Sequence, residues 1–173
     1  MKTAFLIFVF LHFSGLVIRA VYERLKQNGR ADPESRLTVA VIFAVMCLLW
    51  ASWFNMCSLD PYKLALSAGV RWAGLGLFFA GLVFSVGATL QLRGVENIEH
   101  LVTTGLFRKT RHPMYLGFIL WILGWAIYHG AALSLLCGCV TILNIIHWKR
   151  LEEKQLASRY RQTYAAYRSK TWF

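Results

Sequence analysis

Two short segments of this 173-residue chain concentrate side chains able to hold charged ligands. One is Arg111-His112-Pro113-Met114-Tyr115-Leu116-Gly117, and the other is Glu152-Glu153, followed by Tyr160, Tyr164 and Tyr167. A guanidinium, an imidazole and two carboxylates can neutralise or hydrogen-bond ionic groups, and tyrosines can cover a flat ring or a cation. Each residue also has a structural role open to it. Pro113 suits the first turn of a helix, where a missing N–H is harmless. Arg111 and Tyr115 suit a membrane–water interface, and paired glutamates suit the positive end of a helix dipole. A shared site requires that the chain bring the two segments together.

The elements between them do this. Uncharged stretches fall at residues 3–18, 37–59, 72–90 and 114–148. The first three each suit one bilayer crossing of about 20 residues. The fourth, as one straight helix, would reach about 52 Å against a hydrocarbon core of roughly 30 Å. It must double back, and His129-Gly130 is the natural turn. The expected hairpin, 114–128 and 131–148, returns its ends to one face, so residues 111–117 become neighbours of Glu152-Glu153. Close packing is expected from Gly117 with Gly124, Ser134 with Gly138, and Gly76 with Ala80, because small residues let helices approach in lipid.

Composition sets the solvent. Hydrophobic residues make up 57 % of the chain and charged residues 16 %, against about 25 % charged in soluble proteins. The expected fold is an all-α integral membrane protein of about five transmembrane helices, the last two a tight hairpin, with an amphipathic C-terminal helix over 152–173. It reads as one membrane domain over 1–173, with three helices in 1–90 and connector, hairpin and tail in 91–173. Residues 1–18 read as a retained first helix, with a cleaved signal peptide as the alternative. Sixteen of the nineteen Lys and Arg residues lie in 19–36, 91–113 and the tail, leaving Lys2, Lys63 and Arg71. The positive-inside rule then puts the C-terminus and the site in the cytoplasm and the N-terminus outside. The net charge of +11 follows from this topology and does not indicate nucleic acid. Cys47, Cys57, Cys137 and Cys139 sit in apolar stretches without redox or zinc spacing, so no metal is expected.

The run from Leu101 to Gly117 resembles the connector and R-H-P-x-Y-x-G signature of the isoprenylcysteine carboxyl methyltransferase and phospholipid methyltransferase superfamily. Glu152-Glu153 with Leu156, Tyr160, Tyr164 and Tyr167 is similar to that family's E-E-x-x-L and Y-x-x-Y ending. The chain departs from the family in carrying Gly105-Leu106-Phe107 where Gly-Pro-Tyr is common. The resemblance implies a membrane methyltransferase that uses S-adenosylmethionine and releases S-adenosylhomocysteine. His112, Pro113, Tyr115 and Gly117 match its cofactor signature, and Glu152 and Glu153 its acidic pair. From it we expect Arg111 and His112 near the cofactor carboxylate, Glu153 with Glu152 at its ammonium or a ribose hydroxyl, and Tyr115 with Tyr160 or Tyr164 on the adenine or sulfonium. Arg161 or Arg168 would clamp an acceptor carboxylate, whereas Glu152 would face an acceptor ammonium.

The expected acceptor is a lipophilic or lipid-modified molecule drawn from the membrane, in a bacterial inner membrane or the endoplasmic reticulum, with no obligate protein partner. Carboxylate O-methylation leads; phospholipid N-methylation, thiol S-methylation and an NADPH-dependent reductase like the sterol reductases are the alternatives. A haem- or quinone-binding subunit is a further alternative, since His12, His129 and His147 lie in or near apolar stretches, but no two of them share a helix.

Overall fold

A computed structural model describes residues 2–32, 35–92 and 101–173. Arg93, one of the expected connector cations, lies outside them. The described residues form five α-helices: α1 (Lys2–Gln27), α2 (Arg36–Leu59), α3 (Ala68–Leu92), α4 (Pro113–His129) and α5 (Ala132–Arg168), with a 3-10 turn at Gly105–Arg108 before α4. No strand occurs among them. Four of the helices, α1, α2, α3 and α5, are long and apolar enough to cross a membrane, and α4 is a shorter apolar helix of 17 residues. Phe10, Phe43, Leu90 and Leu143 are 66–73 % exposed. Many such side chains project outwards, which suits lipid as the surrounding solvent. The chain is an all-α integral membrane protein.

Contacts divide the chain into two compact units: Met1–Ala65 with His129–Cys137, and Leu66–Tyr128 with Gly138–Phe173. In the first unit α1 approaches α2 where Gly15 meets the Leu49 side chain, and His12 Nδ1 lies 3.3 Å from the Leu49 carbonyl. Beyond α2, the buried Asp60 carboxylate accepts from the Tyr62 N–H (2.9 Å), the Ser134 N–H (2.6 Å) and the Ser134 hydroxyl (2.7 Å). It thereby satisfies a donor that the first turn of α5 would leave orphaned. Lys63 Nζ does the converse for α2, donating to the Cys57 and Ser58 carbonyls. The turn expected at His129-Gly130 is present: Gly130 has φ +59°, and its carbonyl accepts from the Leu64 N–H at 2.7 Å.

In the second unit α3 and α4 touch through glycine. A Cβ on Gly117 would lie 2.5 Å from the Ser85 nitrogen, and one on Gly81 2.6 Å from the Gly117 carbonyl oxygen. Gly74 and Gly124 make a second such crossing one heptad away. Gly117 and Gly124, expected to allow close packing within the hairpin, make their close approach to α3. Gly76 would meet nothing within 4 Å, so Gly74 and Gly81 carry the contact. The reason is angular: Gly74 and Gly81, seven residues apart, share one face of α3, while Gly76, two residues on from Gly74, is turned about 200° away.

The tail also differs from expectation. Instead of a separate helix beginning near residue 152, α5 runs unbroken past Trp148 and is interrupted at Arg161, with φ 42° and ψ −114°. Residues 149–160 contain no proline or glycine and are rich in Lys, Arg, Leu, Glu, Gln and Ala, so nothing in their propensity stops the helix at the membrane surface. Its 37 residues would reach about 55 Å if straight. The apolar part ends at Trp148, and the charged remainder extends beyond the hydrocarbon.

Candidate functional site

His112 opens α4: its carbonyl accepts the first helical bond, from the Leu116 N–H at 3.0 Å, and Pro113 follows in the first turn. This fixes the imidazole at the helix end, 4 % exposed. Its two nitrogens face the acidic pair on α5, with Nδ1 3.6 Å from Glu152 Oε2 and Nε2 3.3 Å from Glu153 Oε1. Tyr115, one turn on, stacks near-parallel with the imidazole at 5.6 Å between centroids.

Arg111 joins three pieces of chain. Its Nε donates to Glu153 Oε1 at 3.1 Å, and a terminal nitrogen donates to the Thr171 carbonyl at 2.6 Å. Its own backbone N–H points to the carbonyls of Trp172 and Phe173, while the Trp172 N–H donates to the Lys109 carbonyl. Thr110 and Trp172 pair as an isolated parallel bridge. The returning tail is further held by the Tyr167 hydroxyl, which donates to the Phe107 carbonyl at 2.6 Å.

The electrostatics follow from this packing. Burial alone would raise the Glu153 carboxyl, but the Arg111 hydrogen bond and the charges of His112, Arg111 and Lys149 outweigh it, so the group is held below its ordinary value. Burial raises Tyr164, reinforced by the negative charge of Glu153, and pushes Tyr167 up to about 12. Both phenols therefore remain protonated donors. The Tyr164 hydroxyl and Thr110 Oγ1 are buried without a hydrogen-bond partner among the described residues. A ligand reaching either would meet an unsatisfied donor.

Arg111, His112, Pro113, Tyr115, Glu152, Glu153 and Tyr164 thus lie around one cluster. Tyr160 is half-buried one turn before Tyr164, with Arg159 over its ring. Gly117 faces α3 instead. Arg168 contributes its backbone carbonyl to Arg111 and its charge to the surroundings of Tyr164. Arg161 is exposed at the break in α5. Sequence reasoning missed Thr110, whose part is a buried side-chain hydroxyl, and Thr171 and Trp172, whose parts depend largely on backbone pairing that no spacing signals.

A family model described as phospholipid methyltransferase matches residues 70–163, more than half of the chain. The chain belongs to the phospholipid methyltransferase family. The matched span includes α3 from Val70 onward, α4, the Arg111–Glu153 contact and α5 to beyond Arg161. Over 82 residues this family member is 35 % identical to protein-S-isoprenylcysteine O-methyltransferase of Schizosaccharomyces pombe, covering 43 % of this chain and 33 % of that protein. The match therefore spans about a third of the relative's length. No solved structure matches.

Proposed function

We propose that this member of the phospholipid methyltransferase family transfers the methyl group of S-adenosylmethionine to a lipophilic acceptor, and that the acceptor atom is a carboxylate oxygen. The carrying observation is the Arg111–Glu153 contact beside two buried hydroxyls, Thr110 and Tyr164, that lack partners. An amino-acid ligand presents a carboxylate and an ammonium side by side, which a guanidinium and a carboxylate in contact complement. The donor set fits the cofactor. When bound, S-adenosylmethionine supplies an electrophilic methyl on a cationic sulfur.

Arg111, with His112, takes the cofactor carboxylate. Glu153, assisted by Glu152, takes the ammonium or a ribose hydroxyl. Tyr115 and Tyr160 or Tyr164 cover the adenine or face the sulfonium through their rings. Pro113 sets the position of His112, while Gly117 serves the site by seating α4 on α3. The returning tail excludes water, and exclusion with alignment is what an in-line displacement requires. A carboxylate acceptor is already ionised at neutral pH and needs no base. Arg168, at the cluster, is the better candidate to orient it; Arg161, exposed at the break, is the weaker one.

A shallow recess of about 210 Å³, lined by Ser85, Val86, Thr89, Leu90, Phe118 and Trp121, runs along α3 and α4. Its apolar lining supports approach of the acceptor's hydrocarbon from the bilayer. The distribution of cations supports a cytoplasmic site and an outside N-terminus. A second reading, N-methylation of a phospholipid amine, is favoured by Glu152, whose side chain is 35 % exposed and so available to an ammonium headgroup.

Isothermal titration of S-adenosylmethionine into wild-type, Arg111→Gln and Glu153→Gln proteins tests the site. Each substitution should weaken binding at least about tenfold, equivalent to ~1.4 kcal/mol. Unchanged affinity in both would sink the assignment. Incubation with methyl-labelled cofactor and a total membrane extract would then identify the acceptor.

A further inference from the structure

A second recess lies between the 3-10 turn and the returning tail. It has a volume of about 330 Å³ and is lined by Thr103, Arg108, Thr163, Tyr167, Lys170 and Thr171. Its chemistry is unlike that of the Arg111–Glu153 cluster. Two cations and several hydroxyls line it, with no carboxylate. Arg108 and Lys170 are both exposed, and among the described residues neither has an ion-pair partner.

We propose that this cleft binds the phosphate of an anionic lipid headgroup. The Tyr167 and Thr171 hydroxyls already donate to the Phe107 and Tyr167 carbonyls. The donors facing a ligand are therefore the Arg108 fork, the Lys170 ammonium and the Thr103 and Thr163 hydroxyls, a set that suits a group whose several oxygens accept from many directions. A carboxylate, with two oxygens, would leave most of these donors unused. The location argues for lipid as the source. Arg108 lies five residues before the first residue of α4, and Lys170 follows the end of α5. The tail carrying Lys170 returns to the α4 entry through the Trp172 N–H bond to the Lys109 carbonyl, so both cations sit where α4 meets the membrane surface, on the face that carries most of the cations. Anionic headgroups concentrate at such a surface.

The cleft also has a mechanical consequence. Tyr167 and Thr171 line it, and these same residues tie the tail to Phe107 and Arg111. A phosphate joining Arg108 on the 3-10 turn to Lys170 on the tail would clasp the tail where it closes the cluster. This inference stands on the cleft and needs no assumption about methyl transfer.

The test uses full-length protein in phosphatidylcholine nanodiscs with or without 20 % phosphatidic acid, reading bound lipid by native mass spectrometry and thermal stability in parallel. Wild-type protein should retain phosphatidic acid and melt at a higher temperature in its presence. Arg108→Gln with Lys170→Gln should weaken retention about 10- to 30-fold, from roughly 1 kcal/mol per cation near a membrane surface, and abolish the thermal shift. Arg108→Lys with Lys170→Arg should keep most of both. Because both side chains are exposed, the double glutamine variant should melt like wild type in phosphatidylcholine alone. A control pair outside the cleft, Arg150→Gln with Lys154→Gln, should leave retention unchanged. The proposal is overturned if the control loses as much as the cleft variant, if wild type shows no preference, or if millimolar inorganic phosphate displaces the lipid and reproduces the thermal shift.

Discussion

Arg111 and Glu153 stand 42 residues apart in sequence and 3.1 Å apart in space, with side chains only 10 % and 17 % exposed. The same guanidinium also holds the Thr171 carbonyl, so one side chain sets both the charge of the cluster and the position of the tail over it. Replacing it therefore has two consequences that can be measured apart. Arg111→Lys keeps the charge but loses the fork. It should loosen the tail, seen as faster amide exchange over 168–173, while retaining more cofactor affinity than Arg111→Gln. Equal affinity losses in the two variants would mean that charge is not what binds.

The acid side of the stability profile should report Glu153. Its carboxyl is held below the ordinary 4.5 in the fold, so the unfolded chain binds the extra proton first as pH falls. The stabilisation is present above about 4.5 and is lost as pH drops through the folded value. Glu153→Gln should be less stable than wild type at pH 6 and should show a shallower decline below pH 4.5. Parallel curves from detergent-solubilised melts would rule out this contribution.

Glycine substitutions on α3 and α4 should sort by facing partner. Gly117→Ala forces a methyl to 2.5 Å from the Ser85 backbone nitrogen, and such overpacking costs about 1–3 kcal/mol. Gly76→Ala meets nothing and should be neutral or stabilising by about 0.5–1 kcal/mol, the usual gain from replacing a helical glycine. Thermal melts of the two variants check the pair. Similar destabilisation by both would contradict the seating of α4 on Gly81.

Arg161 offers a separation of strain from function. At φ 42° a side chain is unfavourable, and residues held in such regions cost about 1–3 kcal/mol. Arg161→Gly should raise stability by about 1 kcal/mol and leave methyl transfer intact. If activity falls tenfold or more while stability rises, then Arg161, and not Arg168, orients the acceptor.

Asp60 tests the far end of the hairpin. It accepts three hydrogen bonds while 1 % exposed, so Asp60→Ala leaves buried donors unsatisfied at about 1–3 kcal/mol each. A clear loss of thermal stability with unchanged cofactor affinity in the folded fraction is expected. A fall in affinity with stability intact would show coupling to the site instead.

What the sequence determined by itself rests on quantities that add along the chain. Apolar content and uncharged run length dictated a membrane fold, because a bilayer requires about 20 residues per crossing whatever the tertiary arrangement. The excess length of 114–148 dictated a hairpin, and the hairpin brought Arg111 and His112 to Glu152 and Glu153. Three-dimensional packing decided what local pattern leaves degenerate. Either Gly76 with Ala80 or Gly74 with Gly81 could have faced α4, and only the crossing selects the second pair. The helical propensity of 149–160 carried α5 past the membrane surface, and the break fell at Arg161, which has no proline or glycine to announce it. The tail's attachment through Arg111, Thr171 and Trp172 is made largely by backbone groups. Every residue carries those groups, so their pairing leaves no mark in the sequence.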